Sequence, residues 1–448
     1  MADLLSIGAS GVRTYQTALS TVSENIANVG NTSYSRRSIN VKEVAAPAGL
    51  LTAASAMNGY GSIAAGVNRA SDMFKSAAVR ASGADLARTE AGSVWLGRIQ
   101  SALTGPDLST SLTSFFNAAK AVAADPGSSG PRATMLENAT TVAGAFAATG
   151  DALAQVTADL DATADQATAS LNALATSLAK VNEGLGRVGA NSAQSASLSD
   201  QRDAILDQMS ALVDVNVTFD AAGRAAVRAG GSGGPVLVSG NDAATVTYAR
   251  NASGAVSFAV QRGGDYAALA PNGGALGGIV DGAQRIADTR DQLNNLATSF
   301  VSGVNALQAQ GRDLNNNAGQ PMFAVGAAPT DISLALADPS GIAAAAVGGG
   351  TRDNSNILQF DSLRTTAGFE NKLTTMISTN AAALQSRNTV AAAQGAIHDG
   401  AISARDAVSG VDLDTEAVDL LRFQQAYSAS SRIIQVARDT FQSILDIH

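Results

Sequence analysis

Two apolar stripes with heptad spacing, one near each end of the chain, most constrain what this protein can fold into. Near the N-terminus apolar or small residues recur every three or four positions, at Leu5, Gly8, Val12, Tyr15, Leu19, Val22, Ile26 and Val29. The C-terminal stripe comprises Leu413, Leu420, Phe423, Tyr427, Ser430, Ile434, Ala437, Phe441 and Ile444. Such spacing places each set on one face of a helix. A single stripe is typical of an amphipathic helix on an ordinary core, but two matched stripes predict that the terminal helices pair as a coiled coil.

Between the stripes, long helical patterns are interrupted by one β-rich region. Alternation of apolar and polar residues replaces the helical period over residues 213–219 and 256–260, and helical spacing returns at Leu276. We therefore predict a mainly α protein with a small antiparallel β region, elongated, with its long helices in co-linear layers. The predicted divisions are a terminal coiled-coil domain (1–35 and 411–448), a helical rod domain (36–213 and 275–410) and a β-rich region (214–274).

Charge and composition exclude several classes of partner. The formal net charge of −9 argues against a surface that binds nucleic acid. No segment has the roughly 20 consecutive apolar residues of a membrane helix, and the N-terminal residues lack the basic and apolar regions of a secretory signal. The absence of cysteine fits either a cytosolic protein that happens to lack it or an exported protein that avoids wrong disulfides. We expect no nucleic-acid or membrane partner, and any export to proceed without a cleaved signal peptide.

Three motifs resemble chemical sites but lack the required context. A GxGxxG pattern at 184–189 ends a helical run instead of following a strand. A GxSxG pattern at 230–234 is followed by a strand pattern, not by a helix. The loop from Asp313 lacks the glutamate that closes a calcium-binding loop. The two histidines, His398 and His448, are interpreted as exposed helix residues. We expect no catalytic residue, no cofactor-binding residue and no metal ligand.

Segments at both ends resemble bacterial flagellar axial proteins. Residues 409–445 read SGVDLDTEAVDLLRFQQAYSASSRIIQVARDTFQSIL and are similar to the terminal helix of that superfamily. Residues 23–37, SENIANVGNTSYSRR, resemble its Asn-rich signature ANxNTPGYSRQ, with Gly30 inserted and with Thr32 and Ser33 in place of Thr-Pro-Gly. The interior segments 198–217 and 273–323 resemble, more specifically, the hook-associated protein 1 family.

This resemblance implies a structural component of the flagellum that joins hook to filament outside the cell. It also implies export through the flagellar type III pathway and polymerisation at the hook tip. The implied partners are other copies of the chain in a ring, the hook protein, hook-associated protein 3, and an export chaperone at the C-terminal helix. Many family members carry a large outer domain after Phe323, so residues 324–350 are interpreted as a shortened outer insertion. Two alternatives stay open: another axial protein (hook, hook-associated protein 3 or flagellin) and an enzyme with a glycine-rich site.

Two sets of residues are assigned to assembly. The coiled-coil set comprises Leu5, Val12, Tyr15, Leu19, Val22, Ile26, Leu420, Phe423, Tyr427, Ile434, Phe441 and Ile444. The hinge set, where the chain leaves the terminal helix and Asn and Ser can satisfy turn backbone groups, comprises Asn25, Asn28, Asn31, Tyr34 and Arg36. Arg36 and Arg37 are expected to contact acidic groups, either on neighbouring subunits or at the helix start near Asp412. The alternative is a surface loop without a partner.

Overall fold

Most of the chain is helical. The computed structural model describes residues 2–44 and 61–446. Within these ranges the α-helices are α1 (Ala2–Ala27), α2 (Met73–Thr104), α3 (Leu108–Ala124), α4 (Ser129–Arg187), α5 (Ala193–Leu212), α6 (Gly274–Gln310), α7 (Gln359–Ala367), α8 (Phe369–Ser409) and α9 (Leu413–Leu445). The mainly α class predicted from the sequence is confirmed. Helix α4 begins at Ser129, so Pro131 occupies its third helical position.

The strands form small sheets, and all their pairings are antiparallel. In chain order the strands are β1 (Arg37–Glu43), β2 (Ser62–Arg69), β3 (Val215–Phe219), β4 (Ala225–Ala229), β5 (Val236–Ser239), β6 (Asp242–Ala243), β7 (Thr245–Arg250), β8 (Val256–Arg262), β9 (Asp265–Leu269), β10 (Phe323–Val325) and β11 (Ile332–Leu334). Strands β3–β6 form one sheet and β7–β9 another, inside the region where a change of period predicts strands. The pairs β1–β2 and β10–β11 are additional, since only one β-rich region is predicted. The division into domains stays a prediction.

The molecule is elongated. Helix α4 has 59 residues, which at the α-helical rise gives a length of about 88 Å. The accessible surface of the chain is 22052 Å², whereas a compact protein of this mass would expose about 15,700 Å². None of the helices in the described ranges has the combination of length and apolarity that a membrane span requires.

The main core surrounds a cluster of phenylalanines where α3, α4, α6 and α8 meet. Phe300 lies at its centre and is fully buried. Its ring centroid is 5.3–6.2 Å from those of five other rings, Phe115, Phe116, Phe146, Phe323 and Phe369. Because the chain has only 12 Phe, this cluster concentrates much of the aromatic surface at one level of the body, which we define as α2 to α8 with strands β3 to β11.

Two asparagines of α4 attach the sheets to the helix. The Asn172 side chain accepts from the backbone N–H of Val246 at 2.7 Å and donates to its carbonyl at 2.9 Å. Asn182, fully buried, bonds in the same manner to the N–H and carbonyl of Ala225, both at 2.8 Å. An amide side chain carries one acceptor and one donor group, so it can take the place of a neighbouring strand at a sheet edge.

Residues 324–350, which the resemblance identifies as a shortened outer insertion, contribute apolar side chains to the body. Ile332, Ile342 and Ala343 are at most 5% exposed. The guanidinium of Arg132 on α4, 1% exposed, donates to the carbonyl of Ile342 at 2.6 Å and to that of Pro126 at 2.7 Å. The segment is therefore anchored to α4 through a buried cation as well as by apolar packing.

Candidate assembly site at the terminal helices and the elbow

Helices α1 and α9, which we call the terminal pair, lie along one another on a seam of small residues. A β-carbon added at Gly8 would come within 2.7 Å of Cγ1 of Ile434, and one added at Gly11 within 2.6 Å of Oγ of Ser430. Glycine at these positions therefore lets the two backbones approach more closely than larger residues would. The predicted pairing of the terminal helices is present in the structure.

The predicted coiled-coil residues flank this seam. The buried positions of α1 are Gly8, Gly11, Thr14, Ala18, Thr21, Val22 and Asn25. Of the predicted set on α1, Val22 is buried, Leu5 is exposed, and the others are half-buried: Val12, Tyr15, Leu19 and Ile26. On α9, Leu420, Phe423 and Ile434 are half-buried, Tyr427 and Phe441 are exposed, and the side chain of Ile444 lies outside the described residues. Ile434 packs directly on Gly8, and the rings of Tyr15 and Phe423 lie 6.3 Å apart between the two helices. The role of the predicted set in assembly stays a prediction.

A second apolar face of α9 points away from α1. The buried residues Glu416 and Ala437 mark the side toward α1. Helical periodicity places Val418, Leu421 and Val436 on the opposite side, where they are 65%, 59% and 62% exposed. Exposed apolar surface that recurs along one helical face is typical of a contact with another protein.

Asn25 joins four segments of the chain through one fully buried side chain. Its amide nitrogen donates to the carbonyl of Arg37 at 2.8 Å and to Oε2 of Glu416 at 2.9 Å. Its amide oxygen accepts from the hydroxyl of Tyr34 at 2.7 Å and from the backbone N–H of Arg37 at 3.0 Å. Every hydrogen-bonding position of the amide is thus used. These bonds tie α1 to the start of β1, to α9 and to the elbow, which we define as residues 28–36.

Glu416 carries the only carboxylate of α9 that is fully buried within the described residues. The guanidinium of Arg36 donates to Oε1 of Glu416 at 2.6 Å and to Oδ2 of Asp419 at 3.2 Å. The predicted contact between Arg36 and the acidic helix start is therefore confirmed. Asp412 caps α9 by accepting from the N–H of Thr415 at 2.7 Å, and this backbone bond lowers the pKa of Asp412.

The three asparagines of the hinge set occupy different environments. Asn28 donates to the carbonyl of Glu24 at 2.8 Å, and the amide oxygen of Asn31 accepts from the N–H of Ser33 at 3.1 Å. Both contacts are local and solvent-accessible, whereas those of Asn25 are buried. Asn25 and Arg36, in contrast, link α1 and the elbow to α9 through their bonds to Glu416. The hinge function of the set stays a prediction.

We expect Tyr34→Phe to lower stability at neutral pH by about 1 kcal/mol, the contribution of one buried hydrogen bond. Burial raises the pKa of Tyr34 from its usual 10.0 to about 12, although Arg37 acts in the opposite direction. The raised pKa favours the protonated folded state, so this stabilisation is complete below pH 10 and is lost as the pH rises toward 12. The difference in stability between wild type and variant should therefore shrink between pH 10 and pH 12 in urea unfolding curves. A difference that is constant with pH would contradict this assignment.

Strands β1 and β2 are linked to α5 by ion pairs, so within the chain Arg37 contacts α5 and not the helix start near Asp412. The guanidinium of Arg37 lies 2.9 Å from Oδ2 of Asp200, and that of Arg69 lies 2.7 Å from Oδ1 of the same carboxylate. Arg69 also contacts Asp203 at 2.8 Å. The sequence patterns did not single out Asp200, Arg69 or the burial of Glu416. For Asp200 the sequence does contain a clue, because Asp200, Asp203 and Asp207 recur at helical spacing on one face of α5.

A cavity of about 540 Å³ lies between the elbow, α2, α5 and α8. His398 on its wall is half-buried, not exposed as predicted, because Nδ1 lies 3.1 Å from Oγ of Ser82 on the facing helix α2. His448 lies outside the described residues. Across residues 2–44 and 61–446, no group of three or more acidic or histidine side chains is arranged to hold a metal ion.

The three motifs that resemble chemical sites have structural roles. Residues 184–189 include the end of α4 at Arg187, and residues 230–234 precede strand β5. The carboxylate of Asp313 accepts from the N–H groups of Asn315 and Asn317, both at 2.8 Å, and so stabilises its own loop.

Comparison with protein families identifies relatives for both the body and the C-terminal helix. Residues 96–323, slightly more than half of the chain, match the family described as "Flagellar hook-associated protein FlgK helical domain". Residues 404–447 match the family described as "Flagellar basal body rod FlgEFG protein C-terminal".

Individual relatives agree with these families. The chain is 25% identical over 346 residues to flagellar hook-associated protein 1 of Salmonella typhimurium. This alignment covers 73% of this chain and 60% of the Salmonella protein. It is 23% identical over 483 residues to flagellar hook-associated protein 1 of Bacillus subtilis, covering 96% of this chain and 95% of the relative. The solved structure of the flagellar hook junction protein FlgK from Burkholderia pseudomallei has a TM-score of 0.50 and 25% identity, over 55% of this chain and 46% of that one. The matched region thus spans only about 60% of the length of the Salmonella relative.

Proposed function

The chain belongs to the FlgK family of flagellar hook-associated proteins, and on this premise we propose that it is a structural component joining the flagellar hook to the filament. In this proposal the chain is exported through the flagellar pathway without a cleaved signal peptide and polymerises at the hook tip, outside the cell. The relative from Burkholderia pseudomallei is described as a hook junction protein, which supports the assignment.

The terminal pair is the observation that carries the proposal. One face of α9 packs on α1, while the opposite face presents Val418, Leu421 and Val436 to solvent. In an assembly of identical chains, helices from neighbouring copies would cover this apolar face, and burial of such surface favours association. The proposed partners are therefore copies of the chain itself, the hook protein on one side and hook-associated protein 3 on the other. An export chaperone is proposed to cover α9 before assembly.

We propose no catalytic role. The charged side chains around the elbow are used in ion pairs that join one helix or strand to another, as for Arg36 with Glu416 and Arg37 with Asp200. A neutralised, buried pair of this kind supports structure and offers no free acid or base for a reaction.

A second candidate is another axial component of the rod or hook. It is favoured by the match of residues 404–447 to the rod-protein C-terminal family, since that match does not distinguish junction from rod or hook proteins.

Deletion of the gene should give cells with hooks but no filaments, and flagellin should appear in the medium. Electron microscopy of the cells and gels of the spent medium would measure both. Complementation with the wild-type gene is expected to restore filaments, whereas Val418→Lys combined with Leu421→Lys should fold and yet not restore them, because both side chains are exposed in the single chain. Cells without hooks would favour the rod or hook assignment. Intact motile flagella in the deletion strain would refute the proposal.

A further inference from the structure

The β1–β2 ribbon crosses the joint between the terminal pair and the body. The ribbon itself is counted with neither of them. At one end the ribbon contacts α1: the hydroxyl of Thr14 donates to the carbonyl of Ser62 at 2.9 Å, and the N–H of Ser62 donates to Oγ of Ser10 at 3.2 Å. Thr14 is 3% exposed, so this contact is shielded from water.

The other end of the ribbon contacts the body. The N–H of Val67 donates to the carbonyl of Asn191, in the turn between α4 and α5, at 2.7 Å. A β-carbon at Gly66, whose φ is +152°, would come within 2.8 Å of that carbonyl oxygen, so this close approach depends on glycine. Arg37 and Arg69, one from each strand, both bind Asp200 of α5.

Covalently, the terminal pair is connected to the body by the short link at residues 410–412 and by residues 28–72, which include the elbow and both strands of the ribbon. Helix α1 ends at Ala27 and α9 begins at Leu413, so no helix of the described residues continues from the terminal pair into the body, and the joint can bend unless contacts span it. We propose that the β1–β2 ribbon is a brace that fixes the angle between the terminal pair and the body, and that Asp200 is the positioning residue that anchors it to the body. The inference concerns a single chain and is independent of the proposed function.

Asp200 suits this role because its two carboxylate oxygens each bind an arginine from a different strand of the ribbon. The side chains of Asp200, Arg37 and Arg69 are only 9%, 10% and 13% exposed. Without the carboxylate, Arg69 would keep only Asp203 and Arg37 only the more distant Glu24, at 3.4 Å, so both largely buried guanidinium groups would move toward water to be solvated. Because each lies on a different strand of the ribbon, that movement would detach the ribbon from α5.

The chain contains no cysteine, so pairs of spin labels can be placed at introduced cysteines and their distance distributions measured by double electron–electron resonance. A pair at Ser20 on α1 and Lys180 on α4 spans the joint, and a pair at Lys180 and Thr389 lies within the body. All three positions are exposed. We expect one narrow distribution for each pair in the otherwise unchanged chain.

Asp200→Asn should broaden the distribution across the joint and leave the one within the body unchanged. Thr14→Val, which removes the contact at the other end of the brace, should have the same effect. Asp159→Asn is the matched control, since it removes an ion pair with Arg98 on the body surface and should change neither distribution. If Asp200→Asn also broadens the distance distribution within the body, the substitution has disturbed the body itself, and the test of the brace is then the result for Thr14→Val. A joint distance that stays narrow in Thr14→Val, or one already broad in the starting protein, would overturn the inference.

Discussion

Replacing Asn25 by alanine is expected to lower the free energy of unfolding of the terminal pair by about 4 kcal/mol. The substitution removes four hydrogen bonds from a side chain that is fully buried. It leaves the hydroxyl of Tyr34 and both backbone groups of Arg37 without their partner, and it deprives the buried carboxylate of Glu416 of a donor. Buried polar groups without partners cost more than the bonds themselves contributed.

The protein offers separate probes for the terminal pair and the body. Its single Trp, Trp95, is 2% exposed in the core of the body, so its fluorescence reports unfolding of the body. Far-UV circular dichroism reports all the helices, including α1 and α9. In urea titrations of Asn25→Ala, an early loss of helical signal should appear while the Trp95 transition stays at the wild-type midpoint.

Asn28→Ala and Asn31→Ala are the matched controls, because the contacts of both side chains are local and solvent-accessible. Each should stay within about 0.5 kcal/mol of wild type. A loss as large in Asn28→Ala as in Asn25→Ala would show that the Asn-rich segment acts as a whole, as the hinge set assumes. A loss below about 1 kcal/mol in Asn25→Ala would contradict the structural role of its buried amide.

The sequence predicts the pairing of the terminal helices but not the exact line of contact. The heptad stripe shares Gly8 and Val22 with the buried line but otherwise passes through larger, half-buried or exposed residues. The buried line continues instead through Gly11, Ala18 and Asn25. Hydrophobic periodicity weights large side chains, but a close helix–helix contact is made by small ones. Asn25 lies on that line, so the spacing of glycine, alanine and asparagine was the signal that would have separated it from Asn28.

The β1–β2 ribbon escapes prediction for a different reason. Strand β1 reads RSINVKE, in which residues 38–42 alternate between polar and apolar, but β2 reads SIAAGVNR and shows no such alternation. The sequence thus carried a signal for one strand and none for its partner. A two-stranded ribbon is only marginally stable by itself, and this one is stabilised by contacts with α1 and α5 that exist only in the folded chain. Its existence therefore depends on residues far away in sequence, such as Asp200.

The same distance in sequence hides the environment of Glu416. Acidic residues at a helix start have a sufficient local explanation in the helix dipole, and Asp412 fits it as the cap of α9. Glu416 is buried for a non-local reason, since its partners Asn25 and Arg36 lie 391 and 380 residues away in the chain. Local patterns identify helices and their ends, but a single sequence does not reveal which charges meet across the fold.

Arg132 is the clearest case in the body. It lies in the first turn of α4, in the segment SSGPRATM, where a basic residue would be expected to face solvent. Instead it is 1% exposed. Burial lowers the pKa of Arg132, and its bonds are to backbone carbonyls on both sides, those of Pro126 and Ile342. The buried position of this arginine thus depends on Ile342, which lies 210 positions away in the chain.

Replacing Arg132 by methionine is expected to lower the free energy of unfolding of the body by about 3 kcal/mol. Methionine fills part of the space, but the buried carbonyl of Pro126 loses the Arg132 donor and that of Ile342 keeps only the N–H of Ala344, at 3.0 Å. The Trp95 transition should therefore move to lower urea, whereas the terminal pair should unfold as in wild type, the reverse of the pattern expected for Asn25→Ala. Arg262→Met, which removes an arginine that is 39% exposed and paired with Asp242, should change stability by no more than about 0.5 kcal/mol. Equal effects of the two arginine substitutions would mean that the buried bonds of Arg132 contribute no more than a surface ion pair.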